Sequence, residues 1–417
     1  MNKDKRLRLY YYLFDWANSP FSTIIITFIF SSYFVNAIAE NKVVGTSLWG
    51  WTIALSGILI SVIAPYFGLL ADNKNKFAKQ VITMATFIIA LFSILLWFSK
   101  PNADFLIFTL FIIFISNTLF ELSQIFYNSQ LVYFKKDMPI GHFSGKAWAI
   151  GYLGGIFCLL LILFLFVLPE ENFLHLQKDK FEHIRVCGPV VGIWYLFFSF
   201  PFLLKYQSQN ILNRTMKNSQ PSLITFKLLK KFLTSPENKN KVKFFIARML
   251  YTDGLITLFS FGGIYASGTF GFNFIEIIYF GISLNITAAL GAYFFGIIED
   301  KIGIKKIIIL SLLSLSIICI LILITKNKYI FWVLGVSLGL FIGSVQSSSR
   351  TALINLAKGE NLNGLFGIYA VSGKVTNFLG PFFVASFTAI FESQKAGMTP
   401  IIFFLILGML LLSRTKI

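Results

Sequence analysis

The chain is dominated by long apolar runs that contain no acidic or basic residue. Ile24 to Val35, Ile82 to Phe98, Phe105 to Ile115, Phe157 to Leu168 and Ile307 to Ile324 are of this kind. Crossing about 30 Å of hydrocarbon takes roughly 20 apolar residues wound as a helix. Several runs approach that length, and their repetition along 417 residues is more than one soluble core can hide. In lipid every backbone N–H and C=O must find its partner inside the segment, so runs of this length predict helices. The expected class is all-α, a polytopic membrane protein.

Composition agrees. Charged residues make up 13% of the chain, against ~25% in a typical soluble domain. The formal net charge of +18 in a soluble protein would suggest nucleic acid, because clustered Lys and Arg neutralise phosphates. Membrane topology explains it better here, and no nucleic-acid partner is expected. Cys158, Cys187 and Cys319 lie far apart with no CxxC or His-paired spacing, which leaves neither a metal site nor a disulfide framework. The basic start, MNKDKRLRLYYYLFDWANS, runs into an apolar stretch interrupted by Asp15, Asn18 and Pro20, without a convincing cleavage site, and reads as a retained first helix.

Hydropathy and turn residues place twelve spans near 10–36, 47–70, 78–98, 104–128, 143–168, 186–204, 244–267, 274–298, 306–325, 329–349, 362–391 and 398–413. Lys and Arg concentrate in cytoplasmic loops. With both termini and every even-numbered loop inside, 26 of the 36 Lys and Arg are cytoplasmic, and Arg248 and Lys374 fall within spans. The expected location is a cell (inner) membrane with cytoplasmic termini. The basic stretch from Lys205 to Lys243 is the one good boundary, giving halves over 1–204 and 244–417 joined by a linker at 205–243. Within the linker, Leu223, Phe226, Leu229 and Leu233 recur at helical spacing with Lys227, Lys230 and Lys231 mostly elsewhere. That pattern suits either a basic helix on an anionic membrane surface or a solvated linker. The longer loop from Pro169 to Arg185 should face outside.

The halves repeat one another. Gly68-Leu-Leu-Ala-Asp72 after span 2 recurs as Gly296-Ile-Ile-Glu-Asp300 after span 8, and Gln124, Gly145 and Gly151 match Gln346, Gly367 and Gly373. Asp15 and Asp253 correspond in the first helix of each half. The offset shrinks steadily along the chain, as shorter loops in the second half would produce, and duplicated halves are a common transporter plan.

The sequence GIIEDKIGIKK, with Gly296, Asp300, Lys301, Gly303, Lys305 and Lys306, resembles the loop signature of the major facilitator superfamily; the first copy keeps Gly68, Asp72 and the scattered Lys74, Lys76 and Lys79. The resemblance implies two pseudo-symmetric six-helix bundles and a cytoplasmic gate made by these motifs. The blocks YLFDWANSPFSTIIITFIFSSYF, IFYNSQL, FSGKAWAIGYLGG, ARMLYTDGLITLFSFGGIYA, SSSRTALI and FGIYAVSGKVTNFLGP resemble the vacuolar-effluxer-like branch of that superfamily. The branch includes fungal vacuolar amino-acid effluxers. It implies a lean toward amino acids or similar metabolites and a midplane cavity lined by spans 1, 4, 7 and 10.

Ionisable groups inside spans cost about 2.5 to 3.5 kcal/mol at the bilayer centre, so each needs a partner or a water-filled cavity. Asp15, Glu121, Arg248, Asp253 and Lys374 are the ones that stand out. Asn117, Glu121, Gln124 and Asn128 form a stripe along one face of span 4 that should meet a cavity or a partner helix. With Asn18 and Gln346 these make up the candidate substrate or proton pathway. Asp15 or Asp253 could carry a coupling proton or act as a fixed counter-ion to Arg248 or Lys374. Lys374, mid-span, is the strongest candidate for an anionic partner, a substrate carboxylate or one of the acids. Arg350, at the end of span 10, could meet an anionic group from the cytoplasmic side, but reads first as a loop arginine that obeys the charge bias. Gly335, Gly339 and Gly343 recur every fourth residue, as do Gly141 with Gly145 and Gly151 with Gly155, and should allow close helix packing.

These features predict a monomeric secondary transporter of a small solute, with the lipid bilayer and a proton or other ion as partners and no cofactor. Enzyme signatures such as HExxH and GxSxG are absent, as is a Walker motif. A membrane receptor or scaffold that keeps the same fold, and less readily a membrane-embedded enzyme, are the alternatives.

Overall fold

The computed structural model describes residues 3–73, 76–134, 138–170, 174–205, 232, 234–272, 274–357 and 362–416. Among the described residues regular structure is helical, as the apolar runs require. Helix α1 begins over Lys3–Pro20 and continues through Phe21–Phe28, Ile29–Tyr33 and Phe34–Ile38 with two wide π-type stretches. The first begins directly after Pro20, whose missing N–H and ring disturb the regular i→i−4 ladder. There follow α2 (Lys42–Asn73), α3 (Phe77–Leu95), α4 (Leu106–Ser129), α5 (Ile140–Ile162), α6 (Cys187–Lys205), α7 (Lys239–Phe270), α8 (Phe274–Ile302), α9 (Ile304–Ile324) and α10 (Lys328–Ala357). The chain closes with α11 (Leu362–Ser372), α12 (Leu379–Phe391) and α13 (Gln394–Ser413).

Eleven of these segments are long and apolar enough to cross a membrane. The eleventh predicted span differs from expectation, because it is the pair α11 and α12 rather than one long helix. At ~1.5 Å per residue, each piece covers only about half of a bilayer core. Pro381 supplies the reason. Its ring would clash with the carbonyl four residues back, so an unbroken helix through residues 377–381 is disfavoured, while the first turn of α12 accommodates it. Lys374 therefore lies in a helix break and not in a helix.

Contacts divide the chain into two compact units. The first comprises Met1–Ile60, Lys76–Tyr127 and Ile150–Ser208; the second comprises Ser61–Asn75, Asn128–Ala149 and Gln209–Ile417. An aromatic cluster centres the first. Tyr11 stacks on Tyr127 at 4.3 Å between ring centroids, and Phe14 packs on Phe202 at 4.6 Å. Trp194 donates its indole N–H to the Trp16 carbonyl at 3.1 Å. In the second unit the glycine stripe of α10 meets α8. A side chain at Gly339 or Gly343 would run into the backbone of Leu284 or Ala288, so the stripe sets how closely the two helices approach.

The second unit also takes up the ends of α2, α4 and α5 together with the helices from α7 onward. Many apolar side chains are exposed, among them Ile107 and Phe197 in the first unit and Tyr329, 82% exposed, in the second. A bilayer is the solvent that such a surface suits. The apolar stripe of the linker, Leu223, Phe226, Leu229 and Leu233 with Lys227, Lys230 and Lys231, lies outside the described residues, as does Lys74.

Candidate functional site

The two Gly-x-x-x-Asp motifs do the same thing twice within the second unit. Asp72, at the end of α2, accepts the backbone N–H of Asn363 at 3.0 Å and of Gly364 at 2.8 Å, and the Asn363 side-chain amide at 2.9 Å. Asp300, near the end of α8, accepts the N–H of Gly141 at 2.9 Å and of His142 at 2.7 Å. These donors open α11 and α5, where first-turn N–H groups have no partner inside the helix. A carboxylate there gains both charge-assisted hydrogen bonds and the favourable end of the helix dipole.

Residue numbers show the exchange to be symmetric. Asn363 and Gly364 stand 222 positions after Gly141 and His142, the offset that relates Gln124 to Gln346. Each motif thus caps the equivalent helix in the opposite half. The glycines make room for it. A Cβ on Gly296 would lie 2.6 Å from the Gly141 carbonyl oxygen and 3.1 Å from Gly145 Cα, and one on Gly68 would run into the Asn363 carbonyl. Gly303, at φ 97°, forms the turn into α9, a left-handed backbone that glycine adopts without strain. Of the motif lysines, Lys305 donates to the carbonyls of Ser413 at 2.7 Å and Thr415 at 2.8 Å, closing the end of α13. Lys301 and Lys306 are exposed.

Behind this layer is a residue that the sequence reading placed in a loop. Arg350 is inside α10 and only 2% exposed. Its Nε donates to Ser144 Oγ at 3.1 Å, Nη2 to the Ser144 carbonyl at 2.9 Å and Nη1 to Asn128 Oδ1 at 3.1 Å, while Trp148 lies 5.7 Å from the guanidinium. The correction has a physical reason. Helix α10 continues to Ala357 and carries the arginine inward, where the planar fork finds three acceptors. Asn128 and Arg350 are themselves 222 positions apart, so the last residue of the α4 stripe meets its own repeat on α10. Glu299, 1% exposed, accepts the Ser348 hydroxyl and lies within electrostatic reach of Arg350.

A second cluster surrounds the break between α11 and α12. Arg248 on α7 donates from Nη1 to the Tyr369 carbonyl at 2.5 Å and to Ser372 Oγ at 2.7 Å, with the Tyr369 ring 3.4 Å from its guanidinium carbon. It holds the end of α11. Asp253, five residues on, is 1% exposed and faces the other side of the break, with Thr376 beside its carboxylate. Lys374, between Ser372 and Thr376 in sequence, is half-buried in the break.

The remaining candidates are spread out. Asn117 on α4 donates to Ser56 Oγ of α2 at 2.5 Å, a helix-to-helix tie. Glu121 is half-buried on the same helix, and the Gln124 amide nitrogen is buried without a hydrogen-bond partner among the described residues. Asp15 and Asn18 are buried on α1, and Gly151 of α5 packs against Asp15 and Ser19. Gln346 is half-buried on α10, one turn before Arg350.

Comparison with known proteins gives the family and the fold. The family model described as vacuole effluxer Atg22 like matches residues 33–417. An uncharacterized MFS-type transporter of Bacillus subtilis (strain 168), YxiO, is 21% identical over 96% of this chain and 92% of its own. An uncharacterized protein of Aquifex aeolicus (strain VF5) is 22% identical over 89% of this chain and 88% of its own. Among solved structures, the major facilitator superfamily transporter FucP in the outward conformation superposes with a TM-score of 0.74 at 13% identity, covering 99% of this chain and 98% of FucP. The proton:xylose symporter XylE superposes at 0.71 with 11% identity, covering 97% and 94%. Likeness at this level shows the fold, two six-helix bundles of the major facilitator type.

Proposed function

The chain belongs to the vacuole effluxer Atg22-like family, and from that premise we propose that it moves a small solute, in the chemical range of amino acids and related metabolites, by alternating access driven by an ion or solute gradient. It is a multi-pass membrane transporter of the major facilitator fold. The observation that carries the mechanistic reading is the reciprocal capping by Asp72 and Asp300. Each contact joins one half of the chain to the other through hydrogen bonds to a helix end. Such contacts can open as units without unfolding either helix, which is what a latch must do.

In this reading the motif end is the cytoplasmic gate, and rocking of the halves makes and breaks it. Glu121, Gln124, Gln346 and Lys374 supply the polar groups for solute, with Asp15 or Asp253 serving the coupling ion. The cell membrane is the site of action, with both termini inside. The test of substrate is exchange of labelled amino acids and related metabolites in proteoliposomes, with and without ion gradients. Exchange of at least one solute is expected. A flat response across the panel would favour a scaffold that retains the fold.

Orientation has its own test. Cys158, Cys187 and Cys319 are all buried, so single cysteines can be placed at exposed positions against a quiet background. In intact cells, a membrane-impermeant thiol reagent should label Asp179→Cys, and should label Lys301→Cys only after permeabilisation. The reverse pattern would invert the proposed topology.

A further inference from the structure

We propose that the break between α11 and α12 forms a sodium-ion site with Asp253 as its one anionic ligand; the inference deepens the transporter reading by naming the coupling ion and rests on it for its physiological role. Asp253 is 1% exposed, and both of its carboxylate oxygens lack a hydrogen-bond partner among the described residues. So do the hydroxyl of Thr376 and the side-chain carbonyl oxygen of Asn377, both buried atoms. Thr376 lies beside the Asp253 carboxylate without completing a hydrogen bond to it. Asn377 is the next residue of the same break.

A buried carboxylate with no completed hydrogen bond is among the most costly groups a membrane protein can hold. The charges closest in sequence do not relieve it. Arg248 is about 7.5 Å further down α7 at ~1.5 Å per residue, and its Nη1 is committed to Tyr369 and Ser372. The Thr257 hydroxyl donates to the Asp253 main-chain carbonyl at 2.6 Å, not to its side chain.

The identity of the ion follows from the donor set. The orphaned atoms are all oxygens, and three of the four can only accept. That suits a hard cation. A single carboxylate balances one positive charge, whereas calcium sites usually draw on several carboxylates. A proton neutralises the carboxylate alone; sodium can engage carboxylate, hydroxyl and amide oxygens together. Interrupted spanning helices suit this role, because an unwound backbone within the membrane is tolerated where it is buried or lines a site, and its carbonyls can join the ligand set. Gly380 keeps the approach short: a Cβ there would lie 3.2 Å from the Asp253 carbonyl oxygen.

The test is radioactive sodium binding to the purified full-length chain in detergent, with no solute present, so that it reads the site and not transport. Saturable binding displaced by lithium better than by potassium is expected, at least tenfold weaker in Asp253→Asn and several-fold weaker in Thr376→Val and Asn377→Leu. Gel filtration and thermal stability check that each variant folds; if Asp253→Asn does not, the two neighbouring variants carry the test. No saturable sodium binding by the wild type, or binding unchanged in the variants, overturns the site. Uptake driven by pH and indifferent to sodium would assign the carboxyl to a proton and also overturn it. Sodium binding without transport of any solute would leave the site standing and remove the transporter reading instead.

Discussion

Arg350→Ala should lower transport at least tenfold while the protein still inserts and purifies normally. The guanidinium is buried and supplies three hydrogen bonds, two to Ser144 and one to Asn128. Truncation leaves those acceptors unmet and the nearby Glu299 without its opposing charge. Breaking a buried charged network by removing one partner costs about 3–5 kcal/mol. In a state where the two halves are apart at this end, water can reach the same acceptors, so most of the cost falls on the closed state. A differential of about 3 kcal/mol shifts a two-state population by roughly 100-fold. Arg350→Lys should restore little, because a point charge on a flexible stem cannot satisfy acceptors arranged for a planar fork. Rates in proteoliposomes, beside labelling of a cysteine at the buried Ala292, separate this from misfolding. A variant with normal rate and unchanged labelling would show that Arg350 has no part in closure.

The larger effect is expected from Gly296→Leu. A side chain there meets the Gly141 carbonyl and Gly145 Cα, which are backbone atoms of α5 and cannot swing aside. Close packing gives no alternative position without separating the helices. The gate should stay open and transport should fall below detection, with labelling of a cysteine at Ala292 greatly increased. Gly68→Leu should behave alike through Asn363 and Gly364. Asp72→Asn and Asp300→Asn should do less, several-fold each, since an amide oxygen still accepts from a helix N–H and only the charge is lost. Equal loss in the Asn and Leu variants would mean that charge, not approach, governs the gate.

The parts of the proposed gate were unevenly legible in the sequence. Gly68, Asp72, Gly296 and Asp300 could be found because a close approach and a cap are set a fixed distance apart on one helix, and duplication preserves that spacing. Which helices the aspartates cap was not legible, since Gly141 and Asn363 share no residue type; only their common offset links them. Arg350 was hidden by the charge bias itself, which makes an arginine at a span edge look like any cytoplasmic arginine. The signal was present in the repeat, where Gln124 and Asn128 on one helix correspond to Gln346 and Arg350 on the other. Glu299 was absorbed into the motif beside Asp300.

Span 11 escaped for a different reason. Averaged hydropathy cannot see a break between two apolar helices, although Gly373, Asn377 and Pro381 together mark one. The consequence reaches Lys374, which in a continuous helix would have been a charge buried in mid-span and in the break is a half-buried side chain on irregular backbone. The π-type turns of α1 beyond Pro20 were likewise invisible to periodicity, because they alter the helix without changing which residues are apolar.

In the proposed mechanism the motif end opens and closes during each cycle. His142 and Tyr293 face one another there, with ring centroids 5.8 Å apart. Cysteines at these two positions, in a chain whose native cysteines are replaced, can be joined by a short reducible cross-linker while solute exchange is measured in proteoliposomes. Exchange should stop when the link forms and return when it is reduced. Exchange that continues at an unchanged rate with the link in place would contradict the account.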